Sequence, residues 1–233
     1  MVTGDSAARR RTEAIFKVMP YSLVGWRGLQ VTYDTTSDTL ERGIQGSLVE
    51  CGVAQGGSAA LMALVEQIAA HPRVLWLFDS FEGLPDPTAD DFVDGATGTH
   101  IRPLPRGSCL GTVEQVSELL FAELGLPRDR IRLVKGWFQD TLVANRESVG
   151  PIALLRIDGD WYESVKSCLD ILYDSVVPNG VVIIDDYTSC YGAQKAVDEF
   201  IANRRLVVTL IPDGRGGCHF TKPGAELAHA AHA

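Results

Sequence analysis

Two apolar runs in the C-terminal half of the chain each end abruptly in aspartate. The first is followed by Asp158 and Asp160, and the second is followed by Asp185 and Asp186. Apolar runs of this kind, separated by a helix-length segment, are typical of buried strands in a parallel sheet. Ligands of such sheets bind beyond the carboxyl ends of the strands. The sequence therefore places carboxylates from two strands at one functional edge.

A cluster of carboxylates constrains what can bind there. Neighbouring carboxylates repel one another and are costly to remove from water, so they usually require a cation. A ligand set made only of oxygen atoms favours a hard ion such as Mg²⁺ or Ca²⁺. We therefore predict a divalent-metal site at this edge of the sheet.

Composition limits the class of protein. The chain has 233 residues, of which 45% are hydrophobic, enough for one large α/β domain. The net charge is −9 and no block of lysine and arginine stands out, which disfavours nucleic acids and anionic membranes as partners. No apolar stretch reaches the roughly 18–20 residues that span a bilayer. The polar N-terminal region has no signal-peptide pattern, so we expect a cytoplasmic location.

The cysteines do not form a recognisable framework. There are five of them and none is part of a C-x-x-C pair. An odd number in a chain of this size predicts free thiols rather than disulfides or a zinc site. The cysteines are Cys51, Cys109, Cys168, Cys190 and Cys218.

Strand and helix patterns alternate from residue 47 onward. Strands are predicted at residues 47–52, 74–78, 131–135, 152–157 and 181–184, and helices at residues 58–70, 112–124, 162–174 and 192–204. Residues 206–211 and 218–221 are expected to form a final antiparallel pair. Alternating elements with short links predict a doubly wound parallel sheet.

The N-terminal segment lies outside this alternation. Helices are expected at residues 8–19 and 35–42. Between them, apolar and aromatic side chains crowd together, and we predict that they form a homo-oligomer contact. Alternatively, they pack over the edge of their own sheet or cover their own active site. These side chains are Val18, Tyr21, Leu23, Val24, Trp26, Leu29, Val31 and Tyr33.

These patterns divide the chain into three predicted regions. Residues 1–45 are predicted to be a helical segment that serves as a lid or in oligomerisation, residues 46–222 the main domain, and residues 223–233 a frayed tail. Within the main domain, residues 86–107 are rich in Asp, Gly, Pro and Thr and form a long loop. Loops of this length are usually functional or disordered, and we predict a mobile lid over the site.

A glycine-rich turn follows the first predicted strand. Backbone N–H groups between Gly52 and Ser58 could bind an anion or a carboxylate at the start of the next helix. The turn matches neither G-x-G-x-x-G nor a P-loop. Glu50 would repel a phosphate and instead favours an ammonium group such as that of an amino acid. Alternatively, this segment is only a tight turn before a helix and binds no ligand.

Two further strand ends suggest a nucleoside site. Asp79 and Ser80 end the second strand, where an acidic residue can bind ribose hydroxyls, although it could also cap a turn. Gly136, Trp137 and Phe138 follow the third strand, and the two aromatic rings could enclose an adenine or simply fill the core.

Four segments carry a resemblance to a known family. They are residues 49–52 with 56–58, residues 79–85 (Asp-Ser-Phe-Glu-Gly-Leu-Pro), residues 135–138 with 140–141, and residues 155–164 with 185–187. Together they resemble the macrocin O-methyltransferase family. Its members are S-adenosylmethionine- and metal-dependent enzymes that methylate sugar hydroxyls of antibiotics.

The resemblance implies a fold and a set of roles. The expected fold is the Rossmann-like doubly wound sheet of class I S-adenosylmethionine-dependent methyltransferases, with an N-terminal helical extension and an antiparallel C-terminal strand pair. Mg²⁺ is assigned to Asp158, Asp185 and Asp186, and Asp158 is the expected proton acceptor. The expected cofactor contacts are Glu50, Gly52, Ser58, Asp79, Ser80, Gly136, Trp137, Phe138 and Asp158. The expected acceptor is a small glycosylated molecule.

Several alternatives remain open at this level. Asp160 could lie behind the metal ligands or cap the helix that begins at Tyr162, and His100 is a rival proton acceptor. The acceptor could instead be another small hydroxyl compound of the catechol kind. An NAD-dependent oxidoreductase would need the missing G-x-G-x-x-G, and a non-catalytic binding protein would have no need of the metal carboxylates.

Overall fold

The structure is a computed structural model that describes residues 3–69, 72–93 and 100–224. Its strands are β1 (Ser47–Cys51), β2 (Leu75–Asp79), β3 (Ile131–Lys135), β4 (Ile152–Ile157), β5 (Val176–Ile184), β6 (Ile211–Pro212) and β7 (Cys218–Thr221). Its longer helices are α1 (Thr3–Val18), α2 (Gly25–Glu41), α3 (Gly57–Glu66), α4 (Val113–Ser117), α5 (Phe138–Val149), α6 (Tyr162–Leu172) and α7 (Tyr191–Asn203).

The strands form one seven-stranded sheet in the order β3-β2-β1-β4-β5-β7-β6. The first five strands in this order are parallel, and β7 runs antiparallel to both β5 and β6. This arrangement confirms the doubly wound sheet and the antiparallel final pair. Among the described residues, no helix combines the length and hydropathy needed to cross a bilayer.

Strand register brings the carboxyl ends of the central strands to one level. Cys51 pairs with Phe78 on one side and with Ile157 on the other, and Ile157 in turn pairs with Ile184. All six residues of β4 are buried, because helices cover both faces of the sheet. The residues that follow these strand ends, including Asp158 and Asp185, must therefore be neighbours.

The N-terminal helices pack on the chain's own sheet. Ile15, Val18, Val24 and Leu29 are buried in the same cluster as α3 and one face of β1, β4 and β5. The expectation that the whole apolar group lies free for a partner chain is therefore wrong for Val18, Val24 and Leu29, although self-association itself stays a prediction. Because α1 and α2 share this core, the boundary at residue 45 also stays a proposal.

Helix α2 begins ten residues before the predicted start at residue 35. Its threonines are poor helix formers, and this hid the helix in the sequence. In the structure the hydroxyls of Thr32, Thr36 and Thr39 donate to carbonyls four residues earlier, at 2.6–3.0 Å. Those bonds satisfy buried hydroxyls that would otherwise destabilise the packed helix.

Other elements also differ from prediction: β5 begins at Val176 rather than at residue 181, and α5 was not predicted. The helix expected at residues 112–124 begins with a capping box at Thr112 and continues from α4 as a π-helical segment, Glu118–Glu123. The strand expected at residues 206–211 is wrong in extent, since only Ile211–Pro212 pairs with β7. Val207 is 80% exposed, so this β-branched run follows the surface instead of entering the sheet.

All five cysteines are free thiols. Cys51, Cys168, Cys190 and Cys218 are buried and Cys109 is partly exposed. They act as small apolar residues in the packing.

Replacing Leu29 by alanine tests how the N-terminal helices are held. Leu29 is 0% exposed, so Leu29→Ala should lower the free energy of unfolding by about 2–5 kcal/mol through lost burial and a cavity. Leu23 is 57% exposed, and Leu23→Ala should change stability by no more than about 0.5 kcal/mol. Urea unfolding of the two variants measures the difference. Equal, small effects would show that α2 is not part of the core.

Candidate active site

A cavity of about 780 Å³ opens at the carboxyl ends of the parallel strands. Residues from the ends of β1, β2, β4 and β5 line it, as the sequence predicts for a sheet of this kind. The N-terminal residues Tyr21 to Val24 and the loop residues Ile101, Leu104 and Arg106 form other parts of the wall. The site is therefore built from segments distant in sequence.

The guanidinium of Arg156 lies beneath the acidic strand ends. This side chain is 0% exposed, and its Nη1 donates to Glu50 Oε1 and to Asp158 Oδ2, both at 2.9 Å. Its Nη2 donates to Asp185 Oδ1 at 2.6 Å. One buried cation thus joins carboxylates from β1 and from the residues that follow β4 and β5. Sequence inspection did not single out Arg156, although a cation inside an otherwise apolar strand is itself a signal.

Asp158, Asp185 and Asp186 form the cluster predicted to bind a metal ion. One carboxylate oxygen from each lies within 4.8 Å of the others. Asp186 accepts a hydrogen bond from Ser189 Oγ at 2.9 Å, and Asp185 also accepts one from Arg215. The set offers only oxygen ligands, and its carboxylates exceed the nearby positive charges. Its chemistry therefore fits a hard divalent cation.

The glycine-rich turn depends on close backbone contact. Gly52 has φ +90°, and a Cβ atom there would lie 1.8 Å from the carbonyl oxygen of Asp158. The carboxylate of Asp79 accepts hydrogen bonds from the backbone N–H groups of Val53, Ala54 and Phe81 at 2.7, 3.0 and 2.6 Å. Asp79 therefore fastens the turn, a role that the sequence left as its alternative for this residue.

The other expected cofactor contacts fall into two groups. Ser58, Ser80, Trp137 and Phe138 line the cavity together with Glu50, Gly52, Asp79 and Asp158. Gly136 has φ +140° and shapes the turn before α5, where a Cβ atom would lie 2.7 Å from Thr141 Cγ2. In the described part of the chain, Gly136 is not among the cavity-lining residues.

A known enzyme family matches most of the chain. The family model of macrocin O-methyltransferases matches residues 3–218. Demethyldecarbamoylnovobiocin O-methyltransferase of Streptomyces niveus is 32% identical over 204 residues, covering 87% of this chain and 76% of that protein. The chain belongs to the macrocin O-methyltransferase family. The recognition made from sequence motifs is confirmed, and the enzyme is an S-adenosylmethionine-dependent O-methyltransferase.

Another relative and two solved structures are also similar to this chain. The 8-demethyl-8-(2,3-dimethoxy-alpha-L-rhamnosyl)-tetracenomycin-C 4'-O-methyltransferase of Streptomyces olivaceus is 38% identical over 171 residues, covering 72% of this chain and 62% of that protein. The solved structure of the O-methyltransferase NovP has a TM-score of 0.75 at 31% identity, covering 88% of this chain and 83% of NovP. The calicheamicin methyltransferase CalS11, at 20% identity and TM-score 0.63, shares the fold.

The buried carboxylates of this site are not fully neutralised by the positive charges around them. Burial raises the pKa of Glu50 to about 8, against the opposing effect of Arg156. Burial and the charge of Asp158 raise the pKa of Asp185 to about 6, and burial raises the pKa of Asp160 to about 7. Burial also holds the pKa of Asp186 well above its ordinary range. The cluster therefore retains protons near neutral pH unless a further cation binds.

Glu50 also has an unused acceptor. Its Oε2 atom is buried and has no hydrogen-bond partner among the described residues, while Oε1 is bound by Arg156. An orphaned carboxylate oxygen at a cavity wall is costly unless a ligand satisfies it. An ammonium group fits this position in charge and in hydrogen bonding, so Glu50 suits the amino-acid end of the methyl donor.

The positions of Asp160 and His100 bear on the roles of helix cap and proton acceptor that the sequence left open for them. Asp160 does not cap α6, because the N–H of Tyr162 donates instead to Asp91 Oδ1 at 2.7 Å. Asp160 has φ +54° and lies at the cavity wall, where the thiol of Cys190 is 3.9 Å from its Oδ1. His100 is hydrogen-bonded to Gln194 at 2.8 Å and, among described residues, is not part of the cavity lining.

Asp91 is a cavity-lining residue that sequence inspection missed. Its carboxylate accepts from Thr88 N and Tyr162 N, both at 2.7 Å, and thereby ties the loop after β2 to the start of α6. The spacing Thr88-x-x-Asp91 was the available signal, since it matches a capping box. Residues 94–99 of the predicted lid lie outside the described residues, so lid closure stays a prediction.

Replacing Glu50 by glutamine tests the charge balance through pH. The folded protein holds the Glu50 proton to about pH 8, whereas the unfolded chain releases it near 4.5, so the folded state binds more protons between these values. The free energy of unfolding of metal-free protein should therefore fall as pH rises through this window. Glu50→Gln removes the titrating group, so its decline should be shallower.

Urea unfolding at several pH values in the presence of EDTA measures this slope. Glu147→Gln, an exposed substitution on α5, is the matched control and should keep the wild-type slope. A Glu50→Gln slope identical to wild type would contradict the raised pKa.

Proposed function

We propose that this enzyme transfers a methyl group from S-adenosylmethionine to a sugar hydroxyl of a glycosylated natural product in antibiotic biosynthesis, with Mg²⁺ as its metal ion. The observation that carries the proposal is the group Asp158, Asp185 and Asp186, whose oxygens come within 4.8 Å of one another. They line the same cavity as the glycine-rich turn. A methyl donor and a metal-bound acceptor would then be side by side.

The names of relatives support a glycoside acceptor. The Streptomyces olivaceus relative is named for the 4'-O position of a rhamnosyl-tetracenomycin. The Mycinamicin III 3''-O-methyltransferase of Micromonospora griseorubida is 27% identical over 212 residues. By analogy with these proteins, the acceptor hydroxyl here belongs to a sugar already attached to a larger molecule.

The cofactor would be held by residues of four strand ends. Glu50 would accept a hydrogen bond from the amino group through Oε2, which has no partner among the described residues. Asp79 fixes the glycine-rich turn through Val53 and Ala54 and would accept hydrogen bonds from the ribose hydroxyls. Trp137 and Phe138 line the cavity beside them and offer aromatic surface to the adenine.

The metal ion would be held by Asp158, Asp185 and Asp186. When bound, Mg²⁺ orients vicinal hydroxyls and lowers the pKa of the attacking one. Asp158 would be the proton acceptor, with its carboxylate oriented by the hydrogen bond that Arg156 donates to Oδ2 at 2.9 Å. Arg156 thus keeps the accepting carboxylate in one orientation, and the cavity walls position donor and acceptor for in-line transfer.

The negative charge of the cavity lining limits which acceptors can bind. Its described lining contains nine carboxylate side chains but only the guanidinium groups of Arg106 and Arg215. A nucleotide sugar would bring two phosphates into this surface and be repelled. A neutral or cationic glycoside is compatible with it, and this favours methylation after the sugar has been transferred to its aglycone.

Removing the metal should abolish turnover. We expect excess EDTA to stop methyl transfer and added Mg²⁺ to restore it, because the hydroxyl proton would no longer be acidified. Asp186→Asn should raise the Mg²⁺ concentration needed for half-maximal activity by at least about tenfold, while S-adenosylhomocysteine binding measured by calorimetry changes little. Asp170→Asn, on the exposed face of α6, serves as the control. Full activity in excess EDTA would exclude the metal role.

Acceptor class can be tested with labelled methyl groups. Transfer from labelled S-adenosylmethionine is measured with a panel of neutral glycosides, amino-sugar glycosides, catechols and nucleotide sugars. The negative lining predicts methylation of glycosides and little or none of nucleotide sugars. Preferential methylation of a nucleotide sugar would overturn the assigned acceptor, and preference for a catechol would support the other small-hydroxyl alternative.

A further inference from the structure

The turn between β6 and β7 presents Arg215 to the metal cluster. Asp213 Oδ1 accepts hydrogen bonds from the backbone N–H groups of Arg215, Gly216 and Gly217 at 2.7, 2.9 and 3.0 Å. A single carboxylate oxygen therefore holds three successive amides and fixes the turn. Arg215 stands at its tip, and its position follows from local bonding rather than from the length of the hairpin.

This turn lies directly on the end of β5. A Cβ atom at Gly217 would lie 2.5 Å from the carbonyl oxygen of Asp185, so the backbones are in contact there. The N–H of Thr188 donates to the carbonyl of Gly216 and holds the other side of the turn. The hairpin is thus fastened to the segment that carries the predicted metal ligands.

Both oxygens of Asp185 are bound by arginines. Oδ1 accepts from Arg156 at 2.6 Å, and Oδ2 accepts from Arg215. The two arginines differ in their freedom to move, because the Arg156 side chain is 0% exposed and that of Arg215 is 28% exposed. Arg156 could leave only by depriving the buried carboxylates of Glu50 and Asp185 of their counter-ion, whereas Arg215 can withdraw toward solvent.

We propose that Arg215 is an exchangeable counter-ion of the metal site. It occupies Oδ2 of Asp185, the oxygen that Arg156 leaves available to a divalent ion, and it withdraws when the ion binds. The inference rests on the proposed metal dependence of the enzyme. Replacing one guanidinium by a divalent ion adds one positive charge to a cluster that has too few, so the exchange is electrostatically favourable. Arg215 therefore competes with the metal for Asp185 and stabilises the metal-free site.

The proposal predicts tighter metal binding when Arg215 is lost. Free Mn²⁺ is counted by electron paramagnetic resonance during titration of the full-length protein, with no cofactor or acceptor present. Arg215→Met keeps the length of the side chain and removes its charge. Its Mn²⁺ dissociation constant should be about two- to fivefold lower than that of wild type, the range expected for releasing a partly exposed ion pair.

The unfolding temperature provides a second readout, because it also reports on the site without metal. In the absence of metal, Arg215→Met should unfold at a lower temperature than wild type, because Asp185 has lost a counter-ion. Saturating Mn²⁺ should therefore raise its unfolding temperature by more than it raises that of wild type. Arg27→Met is the matched control, since Arg27 lies beside Gly214 of the same turn but does not line the cavity in the described part of the chain. It should bind Mn²⁺ as wild type does.

The outcomes separate this inference from the function on which it rests. If wild type and Arg215→Met both bind no Mn²⁺, the metal dependence itself fails. If wild type binds Mn²⁺ and Arg215→Met binds it equally or more weakly, the metal dependence stands and the exchange is wrong, because Arg215 then supports Asp185 as a ligand. Should Arg215→Met fail to fold, Arg215→Gln, polar and uncharged, is judged by the same two measurements.

Discussion

The buried ion cluster of Arg156 joins the three central strands of the sheet at the edge where the site lies. Its guanidinium comes from β4 and binds Glu50 in β1 and the aspartates that follow β4 and β5. Removing one partner from a buried cluster of this kind typically costs about 3–5 kcal/mol, because the remaining charges lose their compensation. One side chain therefore links the residues proposed to bind the cofactor and those proposed to bind the metal ion.

The same cluster explains why an unliganded site favours cations. One guanidinium serves three carboxylates, and burial raises the pKa of Glu50 and of Asp185. Each cation that arrives, whether an ammonium group or a divalent ion, relieves part of this imbalance. Incomplete charge compensation in the fold would thus favour binding of both proposed ligands. Arg215 supplies a further, more exposed cation from the last hairpin.

The walls of the cavity come from segments that lie outside the parallel sheet. Tyr21 to Val24 line it from the N-terminal side, and a Cβ atom at Gly57 would lie 2.7 Å from the carbonyl oxygen of Tyr21. Asp91 ties the loop after β2 to α6. The helical N-terminal segment therefore helps to shape the cavity whatever the oligomeric state of the enzyme. The contact surface for a second copy, if present, must use its exposed residues.

The sequence by itself determined the alternation of strands and helices, the aspartates at two strand ends and the family, because periodicity and motifs are local properties. The hydrophobicity of Leu29 also predicted that this side chain would be buried, but not which elements would cover it. Only the tertiary structure decided that α2 covers its own sheet, that Asp91 rather than Asp160 accepts the first N–H of α6, and that Arg156 compensates Glu50 across 106 residues of sequence. Such pairings depend on which strand ends become neighbours in space, and that follows from sheet order and register, not from the spacing of residues along the chain.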